Sequence, residues 1–177
     1  MKILNGDYME KNKSSTCVVC DAGPIIHLSE LDSLHILNDF QTILIPNSVY
    51  NEILKHAPLV PEIDLMVVSE IPLMDESLRI LCKTFSLDLG EIEALAVISE
   101  KPDYIFLTDD AAARLVAQKT GLKVHGTIGI LIRAIRRDLL SPQGVIDILN
   151  ELPEKSSLFI KASLIEEAIS TIKQYFM

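Results

Sequence analysis

Cysteine is scarce: the chain carries three in 177 residues, Cys17, Cys20 and Cys82. Cys17 and Cys20 have the CxxC spacing of a redox pair or half a zinc site, but no second pair completes one. They flank the extended run "TCVVCD", where positions i and i+3 point to opposite faces, so both read as buried thiols. Aromatic residues make up only 5%, and no stretch interleaves them with basic residues as a base-stacking platform would. No apolar run approaches the about 20 residues of a membrane helix. The nearest, "TIGILIRAI", is interrupted by Arg133. The opening segment "MKILNGDYMEKNKSST" lacks the apolar stretch of a signal peptide, since Asp7 and Glu10 follow Ile3-Leu4 closely. It is expected to be a loose tail, with Met9 an alternative start, on a cytoplasmic protein that does not enter a membrane. Positive charge is also short. A net charge of -9 makes the chain a poor indiscriminate binder of nucleic acid. Clustered carboxylates awaiting cations would account for part of that charge.

What the chain does have is apolar sequence, 49% of it, in a length that suits one domain and buries roughly two thirds of its unfolded surface. Short apolar runs alternate with helical patterns. Residues 17–20, "TILI", "DLMVVSEI" between prolines 61 and 72, "YIFLT" and "LKVHG" read as strands. "AGPIIHLSELDSLHILNDF", "SVYNEILKHA", "DESLRILCKTF", "LGEIEALAVISEK", "DAAARLVAQKTG", "TIGILIRAIRRDLL", "SPQGVIDILNEL" and "SLFIKASLIEEAISTIKQYF" read as helical, with Asn47 or Ser48, Asp88 and Ser141 as caps and Gly121 as a stop. This alternation predicts a three-layer α/β/α fold around a mostly parallel sheet. Sites in such sheets form beyond the C-terminal strand ends. Asp21 and Asp109 stand there.

The acids divide by the structural work open to them. Asp21 either caps the next helix or faces the sheet edge. Glu52 shares a helix face with Val49 and Ile53, beside the core, where an unpartnered acid is expensive. Asp88 and Glu91 match a capping box. Glu93 lies on the side defined by Leu89, Ile92 and Ala96 and has no such task, so Glu93 is favoured for a site, with Glu91 beside it. Of Asp109 and Asp110, one should cap a helix and the other face Asp21. Thr108 adds a hydroxyl. Carboxylates at the ends of separate elements suit Mg²⁺ or Mn²⁺ and phosphate substrates.

Four segments, "VVCDAGPIIHLSELDSLHIL", "ILIPNSVYNEI", "LGEIEALAV" and "IFLTDDAAARLVAQKTGLKVHGTIGILIRA", resemble the PIN-domain family, particularly its small toxin-like ribonucleases. The resemblance extends from about Val18 to Leu152. It implies a Mg²⁺- or Mn²⁺-dependent nuclease domain over residues 17–152, after a tail of residues 1–16 and before a helical extension of residues 153–177. It puts the catalytic acids at Asp21, Glu52, Glu93 and Asp110, with Glu91 and Asp109 adjoining as further metal ligands. It also implies RNA as substrate, an antitoxin partner and a homodimer. The sequence departs from the family where Ala22, Gly23 and Pro24 replace the small hydroxyl residue common after the first aspartate, and where Glu93 stands for the usual aspartate.

Arg133, Arg136 and Arg137 offer a rim for an RNA backbone or simple surface charge, and Thr127 a phosphate contact or a cap. The four histidines read as structural or solvent-facing, with His27 and His35 on one helix. The competing functions are a DNA nuclease and a weakly catalytic or non-catalytic module that binds nucleic acid or protein.

Overall fold

The computed structural model describes residues 14–56 and 63–177. The expected tail, as far as residue 13, and Pro61 lie outside them. Five short strands form one sheet: β1 (Cys17–Cys20), β2 (Thr42–Pro46), β3 (Leu65–Val68), β4 (Ile105–Leu107) and β5 (Lys123–His125). Their order is β3-β2-β1-β4-β5 and every pairing is parallel. Parallel neighbours need crossovers, and helices supply them. Helices α1 (Ala22–Glu30), α2 (Asn47–His56), α3 (Glu76–Thr84), α4 (Leu89–Ser99) and α5 (Ala111–Lys119) lie between the strands, and α6 (Thr127–Arg136), α7 (Pro142–Lys155) and α8 (Ala162–Phe176) follow them. The result is the expected three-layer α/β/α architecture.

Strand alternation builds the two cores. Val18 and Cys20 of β1 point to one face, where α1, α2, α6, α7 and α8 pack. Val19, with Leu44 and Phe106, points to the other, against α3, α4 and α5. All three cysteines are free thiols, with Cys20 and Cys82 buried. No helix among the described residues is long and apolar enough to cross a membrane.

Several local readings change. The expected helix after β1 breaks at Leu31–Ser33, where Asp32 takes a positive φ of 53°, and resumes as a 3-10 helix, Leu34–Asp39. His27 and His35 therefore lie on separate elements. Helix α2 starts directly from Pro46, and the Ser48 hydroxyl is donated to Glu93 instead of capping. The last helix begins at Ala162, so Leu158 and Phe159 precede it in an irregular segment. Its buried stripe is Ile165, Ala168 and Ile172. Gly121 does end α5, with a φ of 79° that suits glycine.

The sheet order fixes where a site can form. From β1 the chain proceeds to β2 on one side, while β4 and β5 lie on the other. The gap beyond the C-terminal ends of β1 and β4 is a topological switch point, where a crevice opens between diverging helices.

Candidate functional site

Cys20 pairs in register with Leu107, which sets the next residues, Asp21 and Thr108, side by side at the switch point. The Asp21 amide donates to the Leu107 carbonyl at 2.9 Å. Its side chain caps α1 by accepting from the Ala22 amide at 2.8 Å, and its other oxygen accepts from the Thr108 hydroxyl at 3.1 Å. Capping and site-facing roles thus fall on one carboxylate. Asp21 is 8% exposed, and its pKa is raised to about 6. Burial is the main cause; the Ala22 and Thr108 bonds oppose it, while Asp88 and Glu52 add repulsion.

Asp109 and Asp110 divide the work after β4. Asp110 caps α5, accepting from the Ala113 amide at 2.7 Å. Asp109 turns toward α1 and α6. Its Oδ1 accepts from the Thr127 amide at 2.7 Å, and its Oδ2 accepts from the Thr127 hydroxyl at 2.6 Å and lies 2.8 Å from His27 Nδ1. Burial alone would raise the Asp109 pKa, but the bonds from His27 and Thr127 hold it below the usual carboxylate value. Nothing in the linear sequence links these three residues. Their meeting follows from strand order, with β5 delivering Thr127 beside the end of β4.

Helices α2 and α4 supply the opposite wall. A β-carbon placed on Gly90 would lie 3.3 Å from Val49 and 3.6 Å from Glu52 Oε2, so Glu52 sits close against the start of α4. Asp88 and Glu91 form the expected capping box, each side chain accepting from the other's amide at 2.9 Å. Glu91 nonetheless faces the acidic crevice. Desolvation raises its pKa to about 7 against the Asp88 bond, and Asp110, Asp88 and Asp21 add repulsion.

Asp21, Glu52, Glu91, Asp109 and Asp110 all line one pocket of about 320 Å³, together with Asp88 and His27. Glu93 does not line it. Leu89, which seemed to mark the apolar side of α4, stands in its first turn and is 63% exposed. The helix is buried nearly all round, at Gly90 and from Ala94 through Ile98, so Glu91 and Glu93 both stand three and four positions before buried residues, and the pocket lining rather than helix phase separates them. Sequence reading also missed Leu158 and Phe159 at the rim; only tertiary placement of the segment before α8 brings them there.

The basic residues are placed elsewhere. Arg133 and Arg137 both pair with Asp39, at 2.7 and 3.0 Å, and the Arg133 guanidinium stacks over Phe40. Arg136 lies over the Phe176 ring. None of the three lines the acidic pocket. Thr127 is fully buried, its hydroxyl donated to Asp109. Arg114 bonds the Thr108 carbonyl at 3.0 Å and makes no pair with Asp110.

The donors facing the pocket are almost all carboxylate oxygens, the chemistry that Mg²⁺ and Mn²⁺ take. Mutual repulsion among these acids is the strain that a cation would relieve. The geometry, however, is not an assembled ligand set. Among the described residues, no group of three or more His, Cys, Asp or Glu side chains stands ready to hold a metal ion. A family model, DUF3368, described as a PIN domain, matches residues 17–174. No curated protein and no solved structure matches the chain.

Proposed function

Because the chain belongs to the PIN-domain family, we propose that it binds nucleic acid at the switch-point pocket and hydrolyses RNA phosphodiesters there as a Mg²⁺- or Mn²⁺-dependent endoribonuclease. The observation that carries this reading is the convergence of six carboxylates, from helices α2 and α4 and from the turns that start α1, α4 and α5, on one small pocket. Asp21, Glu52, Glu91 and Asp110 would hold the cation, with Glu91 preferred to Glu93 because it lines that pocket. A bound divalent ion supplies charge neutralisation for the phosphate and a more acidic water. The chain's own contribution is placement. Thr108 and the Ala22 amide fix the Asp21 carboxylate, the Asp110 cap fixes the end of β4, and His27 with Thr127 locks Asp109 between helices. A toxin-like cytoplasmic role, a cognate antitoxin and a homodimer belong to the same proposal and draw on the family resemblance.

A second reading is a weakly catalytic or non-catalytic module that binds nucleic acid or protein. One observation favours it: both Asp109 oxygens are engaged by protein groups, and no three ligands converge among the described residues. On static geometry alone it is the better supported of the two. Cleavage of labelled RNAs and single-stranded DNA with Mn²⁺ or Mg²⁺ separates them. RNA cleavage that disappears in Asp21→Asn supports the ribonuclease. A folded, metal-supplied wild type that binds RNA without cutting it supports the module, and cleavage of DNA alone makes it a DNA nuclease.

A further inference from the structure

Phe159 is 92% exposed, an unusual position for a large apolar ring in a segment that is otherwise well tied down. Its neighbours Leu158 and Ile160 pack against the core, so the backbone alternates and turns the ring outward. The segment is fastened by Glu30. That carboxylate accepts from the Ser156 hydroxyl at 2.8 Å, the Ser157 amide at 2.7 Å and the Ser157 hydroxyl at 2.8 Å. Phe159 is therefore presented from a braced strap.

The ring stands at the boundary of two cavities. One is the acidic pocket. The other, about 510 Å³, adjoins it through Asp109, Leu158 and Phe159 and is lined by Arg114, His125 and Lys161. Partial desolvation, then Arg114, Arg136 and Arg133, hold the His125 pKa below its ordinary value, which marks a positive field in this groove. An acidic pocket, an exposed aromatic ring and a largely apolar groove that carries Arg114 and Lys161 lie in sequence. That order matches a single-stranded nucleic acid passing from its reacting phosphodiester, over a stacked base, to the neighbouring phosphate. A docking protein helix would use the apolar rim but leave the change of charge sign unexplained.

We propose that Phe159 is the stacking platform for one base of single-stranded RNA, with Lys161 and Arg114 holding the phosphate beside it. This deepens the nucleic-acid reading above and rests on it. Stacking is tolerant of base identity, so the platform positions the strand without selecting a sequence.

The chain has no tryptophan, so Phe159→Trp introduces a single fluorescent reporter at the platform. Titration of this variant with a single-stranded RNA oligonucleotide, in Ca²⁺ to limit cleavage, should quench its fluorescence. Phe159→Ala should bind the same labelled RNA at least about fivefold more weakly, the lower range for loss of one base stack. Phe159→Trp should retain binding, and an RNA with abasic sites should bind wild type and Phe159→Ala alike. Lys161→Ala should flatten the dependence of binding on salt by about 0.7 in log–log slope. RNA that binds wild type and Phe159→Ala equally, while Asp21-dependent cleavage persists, overturns the platform and leaves the nuclease reading standing. Absence of both binding and cleavage overturns the two together. An Ala effect confined to the oligomer mass in light scattering also overturns the platform and makes this rim a protein interface. Phe159 is nearly fully exposed, so loss of folding should not confuse the result.

Discussion

Gly126 lacks a side chain, and the space a β-carbon would occupy is already taken. That atom would stand 2.6 Å from Asp109 Oδ1, 2.5 Å from the Arg114 guanidinium and 3.2 Å from the Thr108 carbonyl. Arginine can swing aside, but Asp109 is held by His27 and Thr127, and the Thr108 carbonyl belongs to the sheet edge. Gly126→Ala should therefore cost about 1–3 kcal/mol, as overpacking does, and displace Asp109. Chemical denaturation measures the first effect; the second should show as altered NMR chemical shifts of His27 and Thr127. A variant with wild-type stability and an unmoved His27 would contradict this packing. At the acids, Glu91→Gln should reduce metal-dependent cleavage more than Glu93→Gln, because Glu91 faces the pocket while Glu93 accepts from Ser48 on α2. Matched rates on one RNA test the order, and equal or reversed losses would return Glu93 to the site. This pair also shows where the sequence ran out. Both glutamates and the capping box were readable, but α4 is buried nearly all round, so helix phase could not choose between them and the tertiary placement of the pocket was needed. Exposed Leu89 points away from the side its type suggested.

At the scale of elements, Asp39 joins the 3-10 helix to α6. It is buried and pairs with Arg133 and Arg137, and Arg133 also covers Phe40. From sequence these arginines offer a phosphate rim or simple surface charge; the structure gives two of them a fastening role. Asp39→Asn should cost about 2 kcal/mol, between an exposed pair and a buried one, because Arg137 reaches solvent while Arg133 does not fully do so. Urea melts of Asp39→Asn and Arg133→Met against wild type check this, and a loss below about 0.5 kcal/mol for both would reduce the clasp to surface decoration. The strands, most helices and the parallel sheet were legible because apolar runs and caps are local signals. The Asp39 clasp, the Asp109 anchor and the Glu30 strap were not. Each includes a link between residues 82 or more positions apart, through hydrogen bonds or ion pairs that leave no periodic trace.

At the scale of the whole molecule, two buried or crowded acids and two anchored ones oppose each other, and their balance sets how stability follows pH and metal. Asp21, at about 6, and Glu91, at about 7, bind protons more readily in the native state than in the unfolded chain. Their protonation stabilises the fold, and that stabilisation is lost as pH rises through the two values. For Asp21, a move from 3.8 to about 6 costs the ionised native state about 3 kcal/mol. Asp39 and Asp109 shift the other way, held down chiefly by hydrogen bonds that overcome the effect of burial. Their contribution is present above the ordinary aspartate value and is lost as pH falls below it. Metal-free protein should accordingly be most stable at about pH 4, close to the ordinary carboxylate values, weaken toward pH 8 from crowding in the pocket, and weaken again in stronger acid as the anchors protonate. A divalent cation should offset the alkaline loss. Mn²⁺ at about a hundredfold above its dissociation constant should add about 2.7 kcal/mol at pH 7.5, and much less at pH 5, where protons compete for the same oxygens. Asp21→Asn should stabilise the metal-free protein at pH 7.5 by removing a buried charge while abolishing most of the Mn²⁺ response. Thermal melts across pH, with and without Mn²⁺, provide the test. Stability that climbs steadily from pH 5 to pH 8 would refute the crowding. A wild-type response to Mn²⁺ that Asp21→Asn retains in full would locate the cation away from the switch-point pocket.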